Sequence, residues 1–306
     1  MADKKAIAAR VLAAVVAAAA GGAVWAGFRY GLFAELLPDQ PYVPDGFFDE
    51  NATHIFVEYI DAGHGDAVLI GSDDHFMLID TGAPDNSDKV ICLLRSEGVM
   101  TLDYLIITSP SDDRAGEASD IVSQFDVGTV ITPKIPSTLE PDSSCFAMLT
   151  ETAGYRGVQL HTAGDESFSL GNCTFETLTA KKEHDTPNAH STFVKLKHGE
   201  NTFLFTGASD HTEEEELVGN GADLRADVLM AGDHGGRDSC CSSLLSAVLP
   251  KYTVISCGKD NDRGCPNRDT LRRIRKFSPT VYITSEDGTV HFESDGCRFK
   301  ISAEKG

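Results

Sequence analysis

The chain has 306 residues, of which 26 are Lys or Arg and 47 are Asp or Glu, so its formal net charge is −21. A hydrophobic fraction of 41% and a charged fraction of 24% are typical of a globular protein. This composition excludes a mostly disordered chain, a collagen-like chain and a polytopic membrane protein. The acidic balance also argues against a surface built wholly for nucleic acid, because phosphate binding requires a positive field.

An uncharged segment follows the basic residues near the N-terminus. Residues 11–28 carry no charge and would span about 27 Å as a helix, close to the hydrocarbon thickness of a bilayer. Lys4, Lys5 and Arg10 precede this segment, which favours an N-terminus in the cytoplasm. We predict a signal-anchor or a cleaved signal peptide over residues 1–34, which contacts the membrane through residues 11–28. The remainder is expected to be extracytoplasmic, either anchored by a single span or secreted if the signal is cleaved.

Prolines mark the next segment of the chain. Pro38, Pro41 and Pro44 stand among acidic residues, so residues 35–53 are predicted to form a stiff linker. No comparable break follows, and we interpret residues 54–303 as one domain.

Eight cysteines lie in the part of the chain that is predicted to be exported, where disulfides are permitted. Eight cysteines allow 105 pairings, between which the sequence cannot choose. Cys257 and Cys265 flank a Gly-rich turn and can pair locally, and Cys240 and Cys241 are adjacent. Buried free thiols are the alternative.

The apolar patterns predict short strands alternating with helices. The predicted strands are Ile55–Ile60, Ala67–Ile70, Phe76–Ile79, Tyr104–Thr108, Thr174–Leu178, Thr192–Leu196, Thr202–Phe205, Val228–Met230, Thr253–Ser256, Val281–Thr284 and Thr289–Phe292. The predicted helices are Ser87–Glu97, Glu117–Gln124, His211–Val218, Ser239–Val248 and Asp269–Lys276. Because strands outnumber helices, the pattern indicates an α/β fold of two sheets with outer helices.

Polar residues cluster in five loops that directly follow predicted strands. These loops are Asp61–Asp66, Asp80–Gly82, Ser109–Arg114, Thr206–Asp210 and Gly232–Gly236. Loops held at strand ends are the usual place for a functional site, and their acid clusters can bind a hard cation. Short Asp and Gly loops are also good turns, but five of them in this order favour a site.

The order and wording of these loops resemble the metallo-β-lactamase fold, most closely the extracellular hydrolase-like domain of the ComEC competence proteins. That domain typically reads D-V-G-Q-G-D-A, I-D-T-G, T-H-P-H-A-D-H-I-G-G, L-L-T-G-D, H-H-G-S and G-K-x-N-x-x-G-H-P. The counterparts here are Asp61–Ala67, Ile79–Gly82, Thr108–Glu117, Phe205–Ala208, Asp233–Gly236 and Gly258–Pro266. The resemblance runs from about His54 to Phe292 and implies a four-layer αββα sandwich. His64 stands where the family has Gln, and we interpret it as a turn residue.

The motif that holds metal in this family is altered in the present sequence. In the family, H-x-H-x-D-H supplies imidazoles and a carboxylate to one or two divalent ions, and the resulting metal-bound hydroxide attacks a phosphodiester or similar bond. Ser109, Ser111 and Arg114 occupy the histidine positions, and only Asp113 remains. Because a Ser hydroxyl is a poor ligand and a guanidinium repels cations, we expect the dinuclear site to be absent.

Three further positions depart from the family pattern. Ala208 replaces a bridging aspartate, Asp233 and His234 replace a His-His pair, and Cys265 replaces a histidine before proline. In place of the metal, we predict that Arg114 bridges Asp80 and Asp113 as a built-in cation, because neighbouring carboxylates need a counter-charge.

Two functions follow from this altered site. The first is a membrane-tethered, non-catalytic domain without a cofactor, which binds a protein, a glycan or a small ligand. The alternative is a metal-dependent hydrolase of the phosphodiesterase or nuclease type with a carboxylate-rich mononuclear site for Mn²⁺, Mg²⁺, Ca²⁺ or Zn²⁺. Its ligands would be Asp80, Asp113, Asp210, Asp233 and His234, with Asp113 and His234 as the catalytic residues.

A basic run near the C-terminus is a weak candidate for nucleic-acid binding. It consists of Arg268, Arg272, Arg273, Arg275 and Lys276 on a predicted helix. We favour a solvated helix face instead, because the strong net negative charge opposes long-range attraction to nucleic acid.

Overall fold

The structure is a computed structural model, and it describes residues 52–84, 87–139, 143–259 and 261–305. The predicted signal-anchor or signal peptide over residues 1–34 lies outside these ranges, as does most of the predicted linker over residues 35–53. Within the described ranges, no helix combines the length and apolar character needed to cross a bilayer. Membrane contact through residues 11–28 therefore stays a prediction.

The described ranges contain strands and helices throughout their length. The strands are β1 (Ile55–Tyr59), β2 (Val68–Ser72), β3 (His75–Ile79), β4 (Thr101–Ile106), β5 (Asp126–Thr132), β6 (Gln159–Thr162), β7 (Glu166–Leu170), β8 (Cys173–Leu178), β9 (Phe193–His198), β10 (Asn201–Phe205), β11 (Val228–Met230), β12 (Tyr252–Ile255), β13 (Thr280–Ile283), β14 (Val290–Ser294) and β15 (Phe299–Ala303). The helices are α1 (Ser87–Ser96), α2 (Asp112–Ala115), α3 (Ala118–Gln124), α4 (Ser144–Arg156), α5 (His211–Gly219), α6 (Ser242–Val248), α7 (Arg268–Ile274) and α8 (Thr284–Asp287), with 3-10 turns at Pro187–His190 and Gly232–Gly235.

The strands form two sheets. One has the order β15-β14-β1-β2-β3-β4-β5-β6, and the other has the order β13-β12-β11-β10-β9-β8-β7. Strands β3 to β6 run parallel in the first sheet, and β10 to β13 run parallel in the second. Since parallel strands end at the same edge of a sheet, the loops that follow them lie side by side.

Side-chain alternation along the strands produces three apolar layers. In β3, Met77 and Ile79 join the core between the two sheets, while Leu78 joins a core beneath helices on the outer face. In the second sheet, Phe203 and Phe205 face the central core, and Leu204 packs into a third core with α6 and α7. The described ranges therefore form the predicted four-layer αββα sandwich.

The structure adds elements that the sequence patterns did not predict, including β5, β6, β7, β15 and α4. Helix α4 begins where the Ser143 side chain accepts a hydrogen bond from the Phe146 N–H, and it ends at Gly157, which has φ of 69°. Helix α6 begins three residues later than predicted, because Cys241 caps it by accepting a hydrogen bond from the Leu244 N–H.

Candidate functional site

Backbone hydrogen bonds join the first three polar loops to one another and the last two to each other. The Asp66 N–H donates to the Asp113 carbonyl at 3.1 Å, and the Gly82 N–H donates to the Asp66 carbonyl at 2.7 Å. The Asp233 N–H donates to the Gly207 carbonyl at 2.9 Å. A Cβ on Gly65 would lie 2.8 Å from the Asp113 carbonyl oxygen, so this close approach requires glycine. The Arg114 side chain joins the two groups, because its Nη2 donates to the Gly207 carbonyl at 3.2 Å. The predicted loops thus converge on one site at the edges of the two sheets.

Arg114 lies at the centre of this site, and its side chain is 0% exposed. Its Nη2 is 2.9 Å from Asp66 Oδ2, and its Nη1 is 2.9 Å from Asp113 Oδ1. Nη2 also donates a hydrogen bond to the Gly207 carbonyl at 3.2 Å. Burial alone would lower the pKa of Arg114, but Asp113 and Asp66 outweigh it and raise that pKa. The guanidinium is therefore a fixed internal cation.

Asp113 connects the deep and outer parts of the site. Its Oδ1 accepts from Arg114 and from the Ser111 hydroxyl, and its Oδ2 lies 3.0 Å from His234 Nε2 and 3.2 Å from Arg263 Nη1. Burial favours the neutral acid, but Arg114 and His234 outweigh it and hold the pKa of Asp113 far below its usual range. Asp113 is ionised at neutral pH.

Both ring nitrogens of His234 face acceptors. Nδ1 lies 2.9 Å from the Ser256 carbonyl oxygen and 3.2 Å from Asp66 Oδ1, and Nε2 faces Asp113. Burial lowers the pKa of His234, but the two carboxylates outweigh burial and raise it to about 9. Because both nitrogens face acceptors, the ring is held as an imidazolium that donates twice.

Asp80 corrects one expectation. Arg114 pairs with Asp66 and Asp113, not with Asp80, because Asp80 accepts hydrogen bonds from the Thr108 N–H at 2.7 Å and the Thr108 hydroxyl at 2.6 Å. Burial raises the pKa of Asp80 to about 8, although Arg114 opposes the shift. Because the Asp80 carboxyl is neutral at pH 7, it needs no counter-charge. The Arg114 guanidinium therefore pairs with Asp66 instead.

A second arginine covers the mouth of the site. Arg263 is 43% exposed, and its Nη2 lies 3.0 Å from Asp233 Oδ1 while its Nη1 reaches Asp113. Arg263 lies in the Gly258–Pro266 loop at a position that no sequence motif singles out. Beside it, Asp233 and His234 have φ of 44° and 55°, in the left-handed region that residues other than glycine rarely adopt. Such backbone strain is concentrated at functional sites.

His64 is also part of the site, so its interpretation as a plain turn residue was incomplete. Its ring centroid lies 4.4 Å from that of His234. Burial and then the neighbouring His234 lower the pKa of His64. Among the described residues, His64, Asp113 and His234 are the three whose possible ligand atoms all lie within 4.8 Å of one another.

The remaining predicted site residues serve the local fold. Asp210 accepts from the backbone N–H groups of Thr212 and Glu213 as the N-cap of α5. Ala208 is buried, and its N–H donates to the Ser191 hydroxyl at 3.1 Å. Ser109 is buried. Cys265 is held by its loop, where its N–H donates to Asn261 Oδ1 at 2.8 Å. Asp210 is therefore not brought to the Asp113–His234 centre.

The basic run near the C-terminus is partly used by the fold. Arg273 donates to the carbonyl oxygens of Cys240 and Ser239 at 2.7 and 2.8 Å, and Arg272 pairs with Asp269 at 2.9 Å. The same helix, α7, carries Arg268, while Arg275 and Lys276 follow it. A nucleic-acid contact here stays a prediction.

All eight cysteines lie within the described ranges, and each is a free thiol in the structure. A disulfide between Cys257 and Cys265 is therefore not formed, and Cys240 and Cys241 make no bridge. Burial raises the pKa of the Cys240 thiol above its usual range, which is the behaviour of a core residue.

Comparison with known proteins defines the family. The sequence profile described as the Metallo-beta-lactamase superfamily matches residues 60–259. The chain belongs to this superfamily. It is 26% identical over 257 residues to ComE operon protein 3 of Bacillus subtilis (strain 168), covering 77% of this chain and 32% of that protein. It is 28% identical over 235 residues to Competence protein ComA of Neisseria gonorrhoeae, covering 76% of this chain and 31% of that protein.

The chain thus spans about a third of the length of the curated relatives that it matches. Their names confirm the resemblance to the ComEC type of competence protein. Among solved structures, the metallo-beta-lactamase fold protein YhfI from Bacillus subtilis has a TM-score of 0.53 at 12% identity and covers 78% of this chain and 100% of its own. CmlA, a diiron beta-hydroxylase from Streptomyces venezuelae, has a TM-score of 0.53 at 15% identity, and the match covers 74% of this chain and 52% of CmlA. These likenesses show the fold.

A two-metal centre of the superfamily type does not fit the residues present. Arg114 places its Nη atoms 2.9 Å from carboxylate oxygens of Asp66 and Asp113, where a metal would compete with it. Ser109 and Ser111 offer hydroxyls in place of imidazoles, and a methyl group replaces the bridging carboxylate at Ala208. The donor set lacks both the strong ligands and the free carboxylates that two divalent ions require.

The charges of the site balance without a metal. Asp66, Asp113 and Asp233 supply three negative charges, and Arg114, Arg263 and His234 supply three positive charges. Ion clusters in a low-dielectric setting are tolerated when each charge is paired and hydrogen-bonded. The site is therefore a closed ion network in this structure.

Proposed function

We propose that this chain is a non-catalytic member of the metallo-β-lactamase superfamily, which acts as a binding or scaffold module. The observation that carries the proposal is Arg114, fully buried between Asp66 and Asp113 in the motif that holds metal in the family. A guanidinium is always charged and only donates hydrogen bonds, so it neither leaves by deprotonation nor binds a cation.

Electrostatics support the proposal. Two unit charges about 4 Å apart repel by about 4 kcal/mol at an effective dielectric constant of about 20, and the repulsion doubles for a divalent ion. A metal at the deep position would also have to compete with Arg114 for the carboxylates of Asp66 and Asp113. The geometry thus favours the internal cation over the family's metal.

The proton balance of the site also opposes hydrolysis. With a pKa of about 9, His234 holds its proton at neutral pH and cannot accept one from water as a general base. Asp113 accepts from Ser111, Arg114, His234 and Arg263, so its oxygens are occupied. Neither Asp113 nor His234, the two residues predicted to be catalytic, is left free to activate a nucleophile.

The proposal includes a location and a class of partner. We propose tethering to the membrane through residues 11–28, with the domain on the extracytoplasmic side, as the basic N-terminus and apolar segment indicate. A protein, a glycan or a small ligand would then bind the domain, since a fold can be retained for recognition after its chemistry is lost.

The test is the hydrolysis of bis(p-nitrophenyl) phosphate by the full chain in Mn²⁺, Mg²⁺ or Zn²⁺. We expect no turnover above that of an Asp113→Ala variant in any of the three ions. Metal-dependent turnover that is lost in Asp113→Ala would overturn the proposal.

That second outcome would support the alternative, a mononuclear hydrolase with an altered site. The proximity of Asp113 and His234 to a third possible ligand, His64, favours this alternative. The other ligands predicted from sequence have different partners. Asp80 accepts a hydrogen bond from Thr108, Asp233 pairs with Arg263 and Asp210 caps helix α5.

A further inference from the structure

We propose that His64, Asp113 and His234 bind one transition-metal ion at the mouth of the site, where Arg263 now lies, without hydrolytic chemistry. This inference deepens the proposed function by naming a ligand class for the same site, and it rests on that site being non-hydrolytic. The site differs from the family's centre, because His64 stands where the family has Gln and Arg114 fills the deep position.

The three side chains lie close enough for chelation once an ion displaces Arg263 from Asp113 Oδ2 and the Nε2 proton of His234 is released to solvent. Their ligand atoms lie within 4.8 Å of one another, and Asp113 Oδ2 lies 3.0 Å from His234 Nε2. Metal–nitrogen and metal–oxygen bonds of about 2.0–2.2 Å place neighbouring ligand atoms about 3–3.5 Å apart. Small side-chain rotations therefore bring all three atoms to one ion.

His64 has donor capacity that the protein leaves unused. Both of its ring nitrogens are inaccessible to solvent and have no hydrogen-bond partner among the described residues. Buried polar atoms are nearly always partnered, so two such nitrogens on one ring need an explanation. The ring lies 4.4 Å from that of His234, so a shared ligand explains both the position and the free nitrogens.

The donor types select the class of metal. Two imidazoles and one carboxylate suit Zn²⁺, Fe²⁺, Co²⁺, Ni²⁺ or Cu²⁺, whereas Mg²⁺ and Ca²⁺ prefer oxygen ligands. Three protein ligands leave coordination positions open. An ion here would let the module recognise a partner through a donor group of that partner.

Surrounding contacts hold the ligands in place. The Ser256 carbonyl lies 2.9 Å from His234 Nδ1 and fixes the ring, which leaves Nε2 directed at Asp113. Asp113 Oδ1 is held by Ser111 and Arg114, so Oδ2 is the oxygen that faces the mouth. Sites with such supporting contacts bind metal without large rearrangement.

Arg263 is the competitor for this position. Its guanidinium lies 3.2 Å from Asp113 Oδ2, yet the side chain is 43% exposed and its loop continues into Gly264 at φ of 67°. Unlike Arg114, it can move into solvent without leaving a buried charge. Metal binding and the Arg263–Asp113 contact are therefore mutually exclusive.

The experiment titrates Co²⁺ into the full chain and follows visible absorption, with zinc competition and metal content by mass spectrometry. We expect one Co²⁺ per chain with nitrogen-ligand bands, bound about tenfold more tightly in Arg263→Ala, which removes one repelling charge. His64→Gln should weaken binding at least tenfold in that background. His211→Ala removes an exposed histidine elsewhere and should change nothing.

No Co²⁺ binding in folded Arg263→Ala, or equal binding in Arg263→Ala with and without His64→Gln, would overturn the inference. Loss of binding in His211→Ala would show adventitious surface binding and would overturn it too. Thermal unfolding of each variant checks that it folds. Phosphodiester turnover tests the proposed non-catalytic function, whereas Co²⁺ binding tests the metal site. The two proposals can therefore fail independently.

Discussion

Two arginines pair with Asp113 from opposite sides, and they differ mainly in burial. Arg114 is 0% exposed and also pairs with Asp66, while Arg263 is 43% exposed and also pairs with Asp233. An exposed ion pair contributes little to stability, whereas loss of one partner from a buried pair leaves an uncompensated charge. Arg114 is thus required for the stability of the fold, whereas Arg263 can move away from Asp113 at little cost in stability.

The largest expected effect is at Arg114. Arg114→Met should lower the free energy of unfolding by about 3–5 kcal/mol, because Asp66 and Asp113 stay buried without their cation. Urea denaturation at pH 7 measures this loss. Arg114→Lys keeps the charge but cannot contact both carboxylates as the guanidinium does. Its free energy of unfolding should therefore lie between those of Arg114→Met and the wild type. If Arg114→Met lowers the free energy of unfolding by no more than Arg263→Ala does, the two arginines do not differ in structural importance.

The deep network should also make stability fall as the solution becomes alkaline. The pKa of His234 is raised from 6.5 to about 9, so its contribution is complete below pH 6.5 and is lost as pH rises through 9. Asp80, raised from 3.8 to about 8, acts in the same direction, because its buried neutral form is lost as pH rises through 8. We expect the free energy of unfolding to drop between pH 6.5 and 9.5 by an amount on the order of 5 kcal/mol, about 3 from His234 and about 2 from Asp80.

Urea denaturation across that pH range gives the measurement, and His234→Gln and Asp80→Asn are the variants to compare. Each should flatten the profile, since each removes one titrating group. Asp66 and Asp113, whose pKa values are lowered, contribute stability that is lost only as pH falls into the acid range. A stability that rises from pH 6.5 to pH 9.5 would contradict the protonated state assigned to His234.

The smallest effect is expected at the outer arginine. Arg263→Ala should change the free energy of unfolding by less than about 1 kcal/mol, and that change should shrink further in high salt. Denaturation at low and high salt measures it, with Lys251→Ala, which removes another exposed ion pair with an aspartate, as the matched control. A loss of several kcal/mol would mean that Arg263 is as structural as Arg114.

The sequence predicted the layers of the fold and the convergence of the five loops, because strand patterns and loop motifs are local signals. It also predicted an internal guanidinium at Arg114, although it chose Asp80 as a partner where the structure has Asp66. That choice depends on the burial of Asp80, which favours its neutral form, and on the two hydrogen bonds that it accepts from Thr108. Neither is visible in a motif.

His64 and Arg263 were missed for a related reason. Roles taken from a family pattern fall on the residues that the pattern specifies, whereas His64 replaces the family's Gln and Arg263 lies where the pattern specifies no residue. Their contacts are also distant in sequence, since Arg263 lies 150 residues from Asp113. Strand β6 was missed because its residues are largely exposed, which removes the alternation that marks a half-buried strand.

The most direct test of the central claim is a double-mutant cycle between Arg114 and Asp66, with Arg114→Met and Asp66→Asn measured by urea denaturation. If the guanidinium is the internal counter-ion of the site, the two effects are strongly non-additive, with a coupling of at least about 2 kcal/mol. The double variant should then be more stable than Arg114→Met alone, because one uncompensated carboxylate has been removed. Additive losses would contradict the claim that Arg114 serves as the cation of this site.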